Sequence, residues 1–89
     1  MKEFIEYLLN QIVSNPKAVK VEEVDENGLL IYKIEVAQED MGPVIGKEGR
    51  TINSIRALAR SKAIKDGIRI RVELIDKEKP VEDAENAQN

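Results

Sequence analysis

Apolar residues recur along this chain with two different periods in alternating blocks, and that alternation restricts the fold more than any single motif does. From Lys2 to Val13, Phe4, Ile5, Leu8, Leu9, Ile12 and Val13 fall at helical spacing, and Ser14-Asn15-Pro16 supplies a stop. The stretches Ala18 to Val24 and Leu29 to Ala37 are rich in valine, isoleucine and tyrosine, and Asp25-Glu26-Asn27-Gly28 between them reads as the turn of a hairpin. In the second stretch Leu30, Tyr32, Ile34 and Val36 share one face, expected to meet the helices, while Lys33 and Glu35 point the other way. Asp40 is placed to cap a short helical turn from Met41 to Ile45, in which Pro43 is tolerated because its missing N–H falls in the first turn. From Arg50 to Lys65 a longer helix sets Ile52, Ile55, Ala59 and Ala63 in one stripe and closes at Asp66-Gly67. In a last, half-buried strand, Ile68, Ile70, Val72 and Leu74 alternate with the outward-facing Arg69, Arg71 and Glu73.

This order, α-β-β-α-α-β, predicts an α+β domain: a three-stranded mixed sheet covered on one face by three helices. If the last strand lies beside the second, the two-helix crossover makes that pair parallel and right-handed. The 89 residues hold one small domain, assigned to residues 1–76. Residues 77–89, with a proline, four acids and little apolar content, are expected to form a disordered acidic tail that cannot offset its ordering entropy.

The chain has no cysteine and no histidine, so disulfides, thiolate nucleophiles, the usual zinc sites and imidazole acid/base chemistry are absent. No catalytic residue, metal or cofactor is expected, and the acidic pairs Glu22/Glu23 and Glu39/Asp40 read as solvated charge rather than as an enzyme's carboxylates. Apolar runs are too short for a membrane span or a signal peptide, which predicts a cytoplasmic protein.

Net charge is −3, but its distribution is uneven. Residues 1–46 hold four basic and nine acidic groups. Between Lys47 and Arg71, eight basic residues (Lys47, Arg50, Arg56, Arg60, Lys62, Lys65, Arg69, Arg71) face only Glu48 and Asp66. A local basic surface of this kind, rather than the total charge, decides what can dock.

The basic stretch opens with Val44-Ile45-Gly46-Lys47-Glu48-Gly49-Arg50-Thr51-Ile52. It is not a phosphate-binding P-loop: Gly42 and Gly46 enclose three residues where that motif needs four, and Glu48 stands where it needs a hydroxyl. A dinucleotide fingerprint would follow a strand, whereas this glycine pair separates two helices. Gly-Lys-Glu-Gly before a helix suits a phosphate backbone: the glycines allow close approach, the helix N-terminus offers N–H groups, and Lys47 and Arg50 add charge. By themselves the four residues are also what a helix C-cap and a tight interhelical turn require, and glycine pairs most often serve that purpose.

Ile45-Gly46-Lys47-Glu48-Gly49-Arg50-Thr51-Ile52 resembles the Ile-Gly-x-x-Gly-x-x-Ile signature of the KH domain, a small RNA-binding fold. With the hairpin before the motif and one strand after it, the chain looks like the bacterial type II variant over residues 1–76, and is similar to the KhpA type of small bacterial RNA-binding proteins. The resemblance implies an RNA chaperone-like protein that binds single-stranded RNA, with phosphates against Gly46, Lys47, Glu48, Gly49 and Arg50 and bases over an aliphatic groove. Val44 and Ile45 are candidates for the groove floor; Ile52 reads as core. Arg56, Arg60 and Arg69 are candidate auxiliary contacts. The resemblance also implies a homodimer, and pairing with a larger KH protein of the Jag (KhpB) type. Glu48 puts an acid at a variable position of the loop, which is expected to lower phosphate affinity. No aromatic residue lies near the motif, which disfavours binders that stack bases on aromatic rings.

A second reading is a protein-interaction or dimerisation module with weak RNA contact. Leu58 lies well away from the Ile52/Ile55/Ala59/Ala63 stripe, among Ser54, Ala57 and Ser61, on a small-residue face suited to close helix contact. A lone surface leucine is equally consistent with that position.

Overall fold

Helix α1 (Lys2–Asn10) leads into a hairpin of β1 (Lys20–Glu26) and β2 (Leu29–Glu35), followed by α2 (Met41–Ile45), α3 (Arg50–Asp66) and β3 (Arg69–Leu74). This computed structural model describes residues 1–76, and the expected disordered tail lies outside them. The hairpin turns on two residues, Asn27 (φ 54°) and Gly28 (φ 90°), the positive-φ pair of a type I′ turn, and Asp25 Oδ1 accepts the Gly28 N–H at 2.9 Å. The turn is thus tighter than the four residues expected, and β1 runs on to Glu26. At its other end β1 starts at Lys20 because Pro16–Ala18 form a 3₁₀ turn.

The sheet order is β1-β2-β3, with β1 antiparallel and β3 parallel to β2. Register puts Val21, Ile34 and Leu74 side by side on the helix-covered face, as it does Tyr32 and Val72. These residues pack with Ile5 and Leu9 of α1, Met41 and Val44 of α2, and Ile52, Ile55 and Ala59 of α3 to form the core. Leu30 and Val36 are partly buried against it, as the alternation predicts. Ile31 is also buried, on the opposite face, flanked in register by Val24 and Arg71.

Helix α1 stops at Asn10 rather than Val13. Ile12 and Val13 both donate to the Leu9 carbonyl, and the next two N–H groups leave the helix altogether. Those of Ser14 and Asn15 donate to the Asp40 carboxylate at 2.9 and 3.0 Å, and Asn15 Nδ2 joins them at 3.1 Å. Asp40 therefore stands at the N-cap position of α2 without capping it, and only 2% of its surface is exposed. Neither the expected cap nor the solvated-charge reading holds for this residue. Its carboxylate satisfies backbone donors that would otherwise be stranded where α1 ends, tying the start of the chain to the start of α2.

The Ser14 N–H holds the Asp40 carboxyl below the usual carboxylate range; burial opposes this and the Asn15 donors reinforce it. A carboxyl whose folded pKa is depressed adds stability that is complete above its unfolded pKa, about 3.9, and is lost as pH falls through the lower folded value. Asp40→Asn is expected to lower the urea midpoint well beyond the effect of Glu39→Gln, and to flatten the loss of stability on acidification. Urea titrations of the three proteins at pH 7 and below pH 4 check both outcomes.

Candidate functional site

Helix α2 ends at Gly46, whose φ of 78° and ψ of 171° lie in a region that is essentially glycine's alone. A Cβ there would overlap the Thr51 side chain and come within 2.7 Å of the Thr51 backbone nitrogen. Lys47–Gly49 then make one 3₁₀ turn, in which Glu48 (φ 57°) and Gly49 (φ 78°, ψ 12°) are both left-handed, and the Gly49 N–H donates to the Gly46 carbonyl at 3.1 Å. A Cβ on Gly49 would meet only Asn53 Nδ2 at 3.7 Å, so dihedral angle alone selects that glycine. Turn geometry thus accounts for both glycines. What makes the turn a candidate site is what it displays.

Gly49 is the N-cap of α3 and has no side chain to cover the first-turn N–H groups, which carry the positive end of the helix dipole. Lys47, Glu48 and Arg50 are exposed around it. Glu48 Oε1 lies 3.4 Å from Arg50 Nη2, an exposed and therefore weak pair that an incoming anion can displace.

From the turn, α3 descends past β3. Arg56 Nε donates to the Val72 carbonyl at 3.2 Å and Nη1 to Asn53 Oδ1 at 3.4 Å, which laces the helix to the outer edge of the sheet. Because the Ile75 N–H donates to Ile34 of β2, the backbone groups of Ile70 and Val72, which alternate with it, point to that outer edge. An open cavity there is lined by Arg56, Arg60, Arg71 and Glu73 over Ile70 and Val72. Two of the arginines are those expected from the sequence. Arg69 is exposed in register with Leu29 and does not line the cavity. Arg71, which does, carries no local signal that separates it from Arg69, since both alternate outward on one strand.

The apolar candidates divide. Ile45 is 37% exposed beside the turn, whereas Val44 is completely buried in the core and offers no surface to a base, contrary to expectation. Ile52 is core, as read. Ser54, Ala57, Leu58 and Ser61 all lie exposed on the outer side of α3, Leu58 at 50%. Ser54 Oγ is occupied locally, donating to the Arg50 carbonyl at 2.9 Å.

The KH-domain profile described as KhpA/KhpB matches residues 2–74. The chain belongs to this KH-domain family. It is similar to the RNA-binding protein KhpA of Chlamydia pneumoniae, 41% identical over 76 residues that cover 85% of this chain and 97% of that one. The RNA-binding protein KhpA of Caldanaerobacter subterraneus is 41% identical over 75 residues, 84% of this chain and all of the relative. That of Thermotoga maritima is 52% identical over 58 residues, covering 65% and 77%. Among solved structures, Aquifex aeolicus Era bound to GDP and AlF4⁻ shares the fold at a TM-score of 0.56 and 22% identity, over 82% of this chain and 28% of Era. No helix among the described residues is long and apolar enough to cross a membrane.

In this KH domain the two loop glycines are separable by experiment. Gly46→Ala combines a glycine-only dihedral with the overlap on Thr51, and is expected to cost more than the roughly 1–3 kcal/mol of dihedral strain alone. Gly49→Ala, whose Cβ would make only an ordinary contact with Asn53 Nδ2, should cost about 1 kcal/mol, the dihedral penalty alone. Urea unfolding of both variants gives the comparison; equal losses would mean that Thr51 does not pack against Gly46.

Proposed function

We propose that this protein binds single-stranded RNA, holding phosphates at the Gly46-Lys47-Glu48-Gly49 turn and the start of α3 while the strand runs along the groove between α3 and β3. The observation that carries this reading is an uncovered helix N-terminus, flanked by exposed Lys47 and Arg50, at one end of a groove whose wall holds Arg56, Arg60 and Arg71. The relatives' common description as RNA-binding proteins supports it. Ile45 offers a base an aliphatic contact beside the turn. Arg56 acts mainly as a fixed wall, because its guanidinium is already bonded to Val72 and Asn53. Arg69, on the helix-free face of the sheet, is at most a peripheral phosphate contact. The role is binding rather than catalysis, in the manner of an RNA chaperone in the cytoplasm.

Lys47→Asp combined with Glu48→Asp reverses the charge at the turn while leaving the fold intact, since both side chains are exposed and aspartate tolerates the left-handed conformation of residue 48. Stability is expected to change by no more than about 0.5 kcal/mol. Binding of a mixed single-stranded RNA pool should largely disappear. The wild type should lose affinity with salt at a log-log slope of about −1.4 to −2.8, for two to four neutralised phosphates. Fluorescence anisotropy measures both; equal binding by the variant, or a flat salt dependence, would remove the turn from the site.

The exposed face of Ser54, Ala57, Leu58 and Ser61 favours a second role as an assembly surface, used by another copy or by a larger KH protein of the KhpB type. In a two-fold contact Leu58 is buried twice. Leu58→Glu would then confront two desolvated carboxylates, at a cost of about 3 kcal/mol or more per dimer, while the monomer loses almost nothing. Light scattering at matched concentration is expected to show a wild-type dimer and a monomeric variant. A monomeric wild type, or a variant that still dimerises, returns Leu58 to an isolated surface position.

A further inference from the structure

The strand that builds one wall of the basic groove leads, in sequence, into an acidic stretch. β3 contributes Ile70, Arg71, Val72 and Glu73 to the cavity, and the described chain runs two residues past this strand, to Asp76. Arg56, in the first half of α3, bonds to Val72, so β3 runs back toward the start of α3 and the chain exits at the end of the groove where the Gly46–Gly49 turn sits. The residues that follow are uneven in charge: Lys77 and Lys79 precede Pro80, and beyond it Glu82, Asp83 and Glu85 have no basic neighbour. The family profile ends at residue 74, and relatives matched over 97–100% of their length are spanned by 75 or 76 residues of this chain, so the acidic segment is an addition to the domain.

We propose that the segment after Pro80 docks its carboxylates against the arginines of the α3/β3 cavity and competes there with RNA, an inference that rests on the RNA-binding reading of the same groove. Carboxylates match guanidinium forks in geometry as well as charge, and phosphates recognise the same donors. Reach is not limiting. Glu82, Asp83 and Glu85 lie six to nine residues beyond Asp76, a reach of up to about 20–30 Å when extended, against roughly 17 Å of strand from Asp76 back to Arg71. A contact of only millimolar strength suffices, because a short tether supplies millimolar effective concentration. The tail would thus lower affinity for short or weakly held RNA without closing the site to a strand that also engages the turn.

The test compares the full chain with a chain ending at Asp76, using a fluorescein-labelled mixed-sequence RNA 12-mer in about 50 mM salt. The family profile ends before the truncation point, and the packed core lies within the retained residues. Truncation is expected to tighten binding about two- to five-fold, the factor that a millimolar contact gives at millimolar effective concentration. The gain should disappear near 0.3 M salt, where the Debye length falls to about 6 Å. The full chain carrying Glu82→Gln, Asp83→Asn and Glu85→Gln should match the truncated one. A peptide of residues 77–89 added to the truncated protein should shift the NMR signals of Arg60 and Arg71 without RNA present. Equal RNA affinity of full and truncated chains overturns the inference. So does an undiminished gain on truncation when Arg60→Gln and Arg71→Gln are present, which would indicate general repulsion without docking. If neither chain binds RNA, the RNA-binding reading fails, and the peptide titration still decides whether the segment docks.

Discussion

Parallel pairing of β2 with β3 is the constraint from which the rest of the molecule follows. Neighbouring parallel strands cannot be joined by a tight turn, so the chain must cross the sheet between them, and the crossover is α2, the glycine turn and α3. Its start is anchored at Asp40, which draws in the backbone of residues 14 and 15. Its middle, the Gly46–Gly49 turn, lies at the end of the sheet where β2 and β3 both finish. Its return leg, α3, runs against β3, which brings Arg56 to the Val72 carbonyl and opens the groove between helix and strand.

The same strand order separates the charges. β1 carries Glu22, Glu23, Asp25 and Glu26 against Lys20, and lies at one edge of the sheet; β3, with Arg69 and Arg71, lies at the other. A chain of net charge −3 therefore presents a basic groove to one side, and an approaching polyanion is steered toward that edge and away from β1. Glu48 at the turn and Glu73 in the groove temper the field: the first pairs with Arg50 at 3.4 Å and the second with Arg71 at 3.9 Å. The first pair is exposed on both sides and the second joins an exposed arginine to a half-buried glutamate; such weak surface pairs exchange with an incoming phosphate.

Element order, the buried stripe Ile52/Ile55/Ala59/Ala63, the inward face of β2 and the Gly-Lys-Glu-Gly turn were all legible in the sequence, because each depends on neighbours within a few residues. A 3.6-residue period makes a helix face, a two-residue period makes a strand face, and glycine marks the positive φ that only it adopts cheaply. The turn signature could be read as RNA-binding only through its resemblance to the KH domain, since the glycines themselves are explained by backbone geometry.

What tertiary structure alone decided is where particular side chains ended. Asp40 has the sequence context of a helix cap, yet its carboxylate serves donors 25 and 26 residues earlier in the chain, a pairing that no local pattern announces. Val44 and Ile45 are adjacent aliphatic residues of one short helix; the packing of α2 on α3 and the sheet buries the first and exposes the second. Arg69 and Arg71 are indistinguishable along β3, but only Arg71 borders the cavity formed with α3. The spacing of residues along a chain determines which face they share. Which surface that face meets depends on how the elements are stacked, and that is fixed by contacts between residues far apart in sequence.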